Sequence, residues 1–344
     1  FMRYMNDEYK PLPSSIIAEG IDCFGVAGDR GDVAMVGYGA ARYALASGNC
    51  NEAEKLWPLI EWCLEYCHRQ LNADGVVKAD SDELENRFPA GKANLCTSSL
   101  YYDALVSAAY LGKALKKEHK QIKSYQDRAA ELYKNIDAYF ARNVEGYDTY
   151  RYYDGNTVLR SWICIPLTMG IYDQAKGTVE ALFSDKLWME NGLLTQSGTS
   201  TYWDRSTLYA FRGAYSCGAR DIATEYLDKY SATRLLGDHV PYAVEAWPEG
   251  NQRHLSTESA LYCRIMTEGL FGIRPIALDA FMMTPQLPES WNTMSLKRIC
   301  AFGSIFDIEV KRDKDDKLLV LIKKDHKIVK RSKITNGKPI EVRI

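Results

Sequence analysis

Charge of one sign, long apolar runs and cofactor signatures are all missing from this 344-residue chain. Lys and Arg number 43 against 45 Asp and Glu, a formal net charge of −2. A nucleic-acid partner calls for a basic patch interleaved with aromatics, and none is present. The basic run after Lys323 (KKDHKIVKRSK) alternates with Ile and Val, which reads as the solvated face of strands. No run of about 18 apolar residues occurs, so no membrane span is expected. No signal peptide is visible. The nine cysteines are an odd number with no CxxC pair, and most fall inside helical patterns. They read as buried free thiols, neither a disulfide framework nor a zinc site, which leans toward a reducing compartment. GxSxG, a Walker loop and a dinucleotide fingerprint are absent, so serine-hydrolase and nucleotide chemistry have no support and no cofactor is expected.

What the chain does carry is helical periodicity. Apolar positions at helical spacing predict helices over Asp32–Ala46, Asn51–Gln70, Cys96–Lys117, Ile122–Arg142, Thr157–Met169, Tyr172–Phe183, Arg205–Ser216 and Ala219–Ser231, with another beginning at Ser256–Glu258. Helix, short link, helix and long polar loop recur roughly every 50–60 residues, the rhythm of stacked helical hairpins. The long loops fall on alternate links, so they gather at one mouth. That favours a closed toroid over a solenoid. After Gly272 the pattern changes to period two, broken by DKDD and NGK turns, which predicts a small antiparallel β module.

Two of the polar loops concentrate carboxylates. One is ADSDELENRF, with Asp80, Asp82, Glu83 and Glu85; the other is VEAWPEGNQRH, with Glu245, Trp247, Glu249, Arg253 and His254. Cleaving a glycosidic bond needs two opposed carboxyl groups, one to protonate the leaving oxygen and one to activate water or attack the sugar. Acids from separate loops at one mouth could supply that pair. No His joins DSDELE and the EF-hand spacing is absent, so no metal site is expected. Twenty-three Tyr and seven Trp could line a sugar cleft, although aromatics also fill cores. In TYWDRSTLYAF, Trp203 could stack on a sugar face while Asp204 and Arg205 hydrogen-bond its hydroxyls, and Asp204 also suits a helix N-cap. Arg160 and Trp162 (LRSW) have similar claims. His254 could hold a substrate hydroxyl or satisfy backbone groups at a helix start.

DELENRF…NLCTSSLYYDAL resembles the acid loop and following helix of the six-hairpin glycosidases, which include trehalases, glycogen debranching enzymes and cellobiose-type phosphorylases. The resemblance implies a general acid at Glu85, with Glu83 next, although Asp82 stands where the family's tryptophan is usual. VEAWPEGNQRHLSTESALY is similar to the base-bearing loop of the debranching enzymes, which points to Glu245 with Glu249 as rival. GDRGDVAMVGYGAARYAL resembles the early GD-containing helix of rhamnosidases and implies that Asp29 and Asp32 lie near the cleft. TEGLFGIRPIALDAFMMTPQLPESWNTMSL is similar to the exit from the toroid into the C-terminal β module of phosphorylases and rhamnosidases.

The resulting expectation is a mainly α (α/α)6 toroid over 1–275 followed by a β-sandwich-like module over 276–344. The chain opens FMRYMNDEYK with no initiator Met and about ten predicted helices of the twelve a toroid needs, so the toroid is expected to be N-terminally incomplete. The expected activity is inverting hydrolysis of an oligo- or polysaccharide by Glu85 and Glu245. The alternatives are a sugar phosphorylase, with Arg253 and His254 holding phosphate, and a carbohydrate-binding toroid whose acids do not converge. Sugar epimerases use histidines for acid–base work, and only five are present.

Overall fold

The computed structural model describes residues 1–13, 28–84, 87–234, 246–247 and 256–344, with the backbone alone at 246–247, 256–257 and 259. Helix α1 (Asp32–Ser47) ends at Gly48, which takes a left-handed φ of 69° and returns its N–H to the Leu45 carbonyl. A Cβ there would sit 2.3 Å from the Gly303 nitrogen, so glycine also lets the β module touch the helix end. Helix α2 (Cys50–Arg69) is capped by the Asn49 side chain, which accepts from the N–H groups of Asn51 and Glu52. Helix α3 (Leu95–Ala114) is capped in the same way by Asn94. Next come α4 (His119–Phe140), α5 (Ile165–Met169), α6 (Ala175–Leu182), α7 (Asp204–Ser216), α8 (Arg220–Arg234) and α9 (Ser256–Arg264). Helix α9 runs on as a π-helical turn, Ile265–Leu270. These are nine α-helices among the described residues.

Burial separates them into two layers. In α3, rich in Ala, Ser and Leu, 15 of 20 residues are buried, against 6 of 22 in the charged α4. In α7 the count is 11 of 13, against 4 of 15 in α8. Odd-numbered helices touch in succession, α1 on α3, α3 on α5, α5 on α7 and α7 on α9 with its π turn. The even-numbered α2, α4 and α8 pack outside α1, α3 and α7. The expected single helix over Thr157–Met169 is instead a 3-10 turn, Ser161–Cys164, followed by the five-residue α5. Pro166 accounts for the break: it lacks an N–H and fits best in a first turn, so α5 starts beside it.

Strands β1 (Ala141–Val144) and β2 (Tyr147–Tyr150) form a hairpin where the sequence suggested a loop. Its two-residue turn, Glu145–Gly146, has positive φ at both positions, the geometry that fits strand twist. Two short ladders lie among the interhelical loops, β3 (Trp188–Met189) with β4 (Gly192–Leu193), and β5 (Tyr202–Trp203) with β6 (Ala246–Trp247). After the π turn come β7 (Ile273–Ala277), β8 (Ala280–Met283), β9 (Thr293–Ala301), β10 (Ser304–Arg312), β11 (Leu318–Lys324), β12 (Lys327–Ile334) and β13 (Ile340–Arg343). They make an antiparallel sheet in the order β12-β11-β10-β9 and a second in the order β13-β8-β7. Period-two alternation buries Phe306, Ile308 and Val310 of β10 with Leu318, Val320 and Ile322 of β11. Stacking of Phe281 on Phe302 and Phe306 ties the two sheets together.

The thiols need one correction. Cys63, Cys67, Cys96 and Cys164 are buried, but Cys50, Cys263 and Cys300 are exposed. Cys50 opens α2 in its outward-facing first turn. No disulfide joins the described cysteines. Among the described residues no helix is long and apolar enough to cross a membrane.

Candidate active site

Side chains at the starts of α1, α7 and α9 and on the described part of the loop before α3 come together at the N-terminal ends of the inner helices. The acidic loop is anchored where it begins. Asn94, the α3 cap, donates its amide to the Ser81 carbonyl at 3.2 Å. Asp80 exchanges backbone contact with Asp29, its N–H to the Asp29 carbonyl at 2.8 Å, while its Oδ2 accepts from the Asp29 N–H at 2.8 Å. This ties the acidic loop to the start of α1.

Within that loop Asp82 and Glu83 point to different partners. Asp82 is 2% exposed and pairs with the Arg160 Nη2 at 3.2 Å. Burial pushes its carboxyl above the usual range, and the Arg160 guanidinium only partly offsets this. Arg160 is also buried, donates to the Pro89 carbonyl at 2.9 Å and lies over the rings of Phe88 and Tyr152. Glu83 accepts from the Arg205 Nη1 at 2.5 Å, and the same guanidinium donates through Nε to Glu258 Oε1 at 2.7 Å. One arginine therefore clamps the acidic loop, the first turn of α7 and the first turn of α9.

Glu258 is completely buried, and its Oε2 has no hydrogen-bond partner among the described residues. In the sequence it reads only as part of a helix start after Ser256–Thr257. Its spacing gives no hint of Arg205, 53 positions away. The Trp162 indole N–H is likewise buried without a partner among the described residues. Trp203 and Trp162 form an edge-to-face pair with centroids 4.7 Å apart, and Trp162 meets Tyr209 in the same way. Both tryptophans are buried and form the floor beneath the loops. Asp204 is the first residue of α7, with Trp203 in the cap position, and its Oδ2 accepts from Arg234 Nη2 at 2.8 Å.

Asp29 and Asp32 stand at the start of α1. Asp29 is 3% exposed and is pushed up to about 6, by burial first and the Asp32 charge second; the Tyr66 hydroxyl and the Gly31 N–H pull it only part of the way back. Asp32 lies 3.5 Å from the Arg30 Nε. The structure thus gathers Asp29, Asp32, Asp82, Glu83, Arg160, Trp162, Trp203, Asp204, Arg205 and Glu258 at one end of the helical layer. Glu85, Glu245, Glu249, Arg253, His254 and the side chain of Trp247 lie outside the described residues. Among the described residues no three His, Cys, Asp or Glu side chains group as metal ligands.

No family model and no curated protein sequence matches the chain. Solved structures do match in three dimensions. A structure described as a sialidase superposes with a TM-score of 0.70 over 94% of this chain and 34% of its own, at 14% identity. The α-L-rhamnosidase of Streptomyces avermitilis, complexed with L-rhamnose, gives 0.53 over 93% of this chain and 30% of its own, at 13% identity. The α-L-rhamnosidase of Aspergillus terreus gives 0.51 over 97% and 41%, at 11% identity. The chain therefore spans only 30–41% of the length of these three structures and shares their fold.

Proposed function

We propose that the chain is the catalytic part of an inverting glycoside hydrolase. In this reading it is an (α/α)6 toroid over 1–275 with the β module over 276–344, and a carbohydrate binds at the mouth. Glu85 is the general acid and Glu245 the base that activates water, with Glu83 and Glu249 as the rivals in each loop. The observation that carries the reading is that described residues from both carboxylate loops meet at the start of α7. Glu83, two residues before Glu85, is held by Arg205. Ala246 and Trp247, immediately after Glu245, pair as β6 with Trp203 and Tyr202. Two acids delivered from opposite sides of one cleft are what inversion requires, with carboxyl groups about 6.5–9.5 Å apart to admit a water. The fold shared with rhamnosidases adds support at the level of architecture. Two buried polar atoms without partners among the described residues, Glu258 Oε2 and Trp162 Nε1, suit a site that pairs them with sugar hydroxyls.

The test is hydrolysis of a panel of oligosaccharides that includes L-rhamnosides and sialosides, using the wild-type chain beside Glu85→Gln, Glu245→Gln, Glu83→Gln and Glu249→Gln. Loss of general acid or base function lowers kcat by about 10²–10⁴-fold. Sugar release that Glu85→Gln and Glu245→Gln both lose, with folding intact, supports the assignment. Survival of activity in both means that other carboxylates do the chemistry. Turnover that requires inorganic phosphate would favour phosphorolysis, and binding without turnover would favour a carbohydrate-binding role.

A further inference from the structure

The opposite end of the inner helices holds a polar cavity of about 650 Å³, between the ends of α5 and α7, the π turn, and the β13-β8-β7 sheet. Its charged lining is Arg42, Arg212, Arg220, Arg274 and Lys338 against the single carboxylate Glu268. Helix C-termini make such a place electronegative by themselves. Here that contribution is partly answered, since Arg274 donates to the Met169 carbonyl at the end of α5.

The wall behind the lining carries more positive charge than it can neutralise. Asp103 accepts from Arg42 at 2.9 Å and also from Arg274. Glu268 accepts from Arg42 at 2.8 Å and from Arg264, and lies 3.6 Å from Arg212. Burial would raise both carboxyls, but the surrounding guanidiniums outweigh it and hold both below their usual range. Four guanidiniums thus share two carboxylates, a surplus of two positive charges. Arg212 is 1% exposed, and its Nη1 has no hydrogen-bond partner among the described residues; Arg220 is only half-buried, and its Nε, also without a hydrogen bond there, lies 3.8 Å from the Asp221 carboxylate. Arg220 gives its Nη1 to Gln286 Oε1 at 3.2 Å, which leaves the Gln286 amide as a further donor at the cavity wall. A buried guanidinium such as that of Arg212, with an N–H left unbonded, is costly unless an anion completes it.

We propose that this cavity binds the phosphate monoester of a small polar molecule, with Arg212, Arg220, Arg274 and Lys338 as its oxyanion ligands. A phosphate group carries about −1.5 to −2 charges with three acceptor oxygens, which answers the buried surplus of two and also offers acceptors to Arg220 and Lys338 on the wall. A carboxylate supplies one charge and half-fills such a site. The cavity is also larger than an inorganic ion needs and lies in the range that encloses a sugar-sized molecule. The site is separate from the mouth, so it stands or falls independently of the hydrolysis proposed there.

The experiment is calorimetric titration of the full chain at constant ionic strength with glucose 6-phosphate, inorganic phosphate, glucuronate and glucose. Saturable binding of glucose 6-phosphate, tighter than that of the other three, is the expected result. Arg220→Gln and Lys338→Gln, both on the cavity wall away from the buried carboxylates, should each weaken it by about tenfold, the loss expected for one charge-assisted hydrogen bond. Equal affinity for inorganic phosphate would overturn the monoester in favour of the free ion. Equal affinity for glucuronate would overturn phosphate selectivity. No saturable binding, or binding untouched in both variants while their melting temperatures match the wild type, would overturn the site.

Discussion

Asp29→Asn tests whether the start of α1 stores a buried, reluctant carboxylate. The Asp29 carboxyl is pushed from 3.8 to about 6 in the folded chain, chiefly by burial. A group raised in this way stabilises the fold fully below its unfolded pKa, and that contribution is lost as pH rises through its folded value. A shift of about two units corresponds to roughly 3 kcal/mol, dissipated between about pH 4 and pH 7. Asparagine cannot ionise but keeps an oxygen that can accept from the Gly31 N–H, as Asp29 Oδ1 now does at 3.0 Å. Its amide could lack an acceptor, at a cost of about 1–3 kcal/mol, but that cost is the same at every pH. The diagnostic quantity is therefore the change with pH of the stability difference between variant and wild type. Urea unfolding across this range should show the variant gaining on the wild type by about 2–3 kcal/mol as pH rises from 4 to 7. Parallel stability curves would refute the argument, because they would mean that Asp29 titrates alike in the folded and unfolded chains.

Two further outcomes follow from local geometry. Arg205→Met leaves Glu83 and the fully buried Glu258 without their shared cation. It should lower unfolding free energy by about 3–5 kcal/mol, read from the urea midpoint, and a loss below about 1 kcal/mol would mean the clamp is incidental. Gly177→Ala adds a methyl that would start 1.9 Å from the Asp148 carbonyl oxygen, where α6 rests on β2. Helix propensity alone would favour alanine by about 1 kcal/mol, so net destabilisation of about 1–2 kcal/mol in thermal unfolding would show that the close approach wins, and a stabilised variant would show that the hairpin yields.

The sequence made the long helices legible because each carries its own boundary signals. Asn49 and Asn94 cap, Gly48 stops, and the apolar stripe of α2 repeats through Leu59, Ile60, Cys63 and Cys67. It was less informative where few residues decide the outcome. The β1–β2 hairpin has four residues per strand and burial on little more than one end, too short for alternation to emerge. The candidate site was readable as two acidic loops but not as a clamp. Glu83 and Arg205 are 122 positions apart, and Arg42 and Glu268 are 226 apart. Pairings of that kind are set by the packing of the helical layer, and no local pattern carries them. For the same reason the arginine-rich cavity was invisible in the sequence.

The route of the chain through the smaller sheet also has a consequence for how the molecule is made. Strand β13 pairs with β8, Val342 opposite Phe281, while the whole four-stranded sheet is threaded between them in sequence. On a ribosome the helices emerge first and can assemble as they appear. Their floor cannot close until residue 343 is free to dock. Asn336–Pro339, which complete the wall of the basic cavity, are laid down just before β13 docks. A nascent chain halted before that point would present the unpaired edge of β8, the kind of exposed strand that recruits other chains. Arrival of β13, more than formation of any one helix, would then be the moment at which the β8 edge is covered.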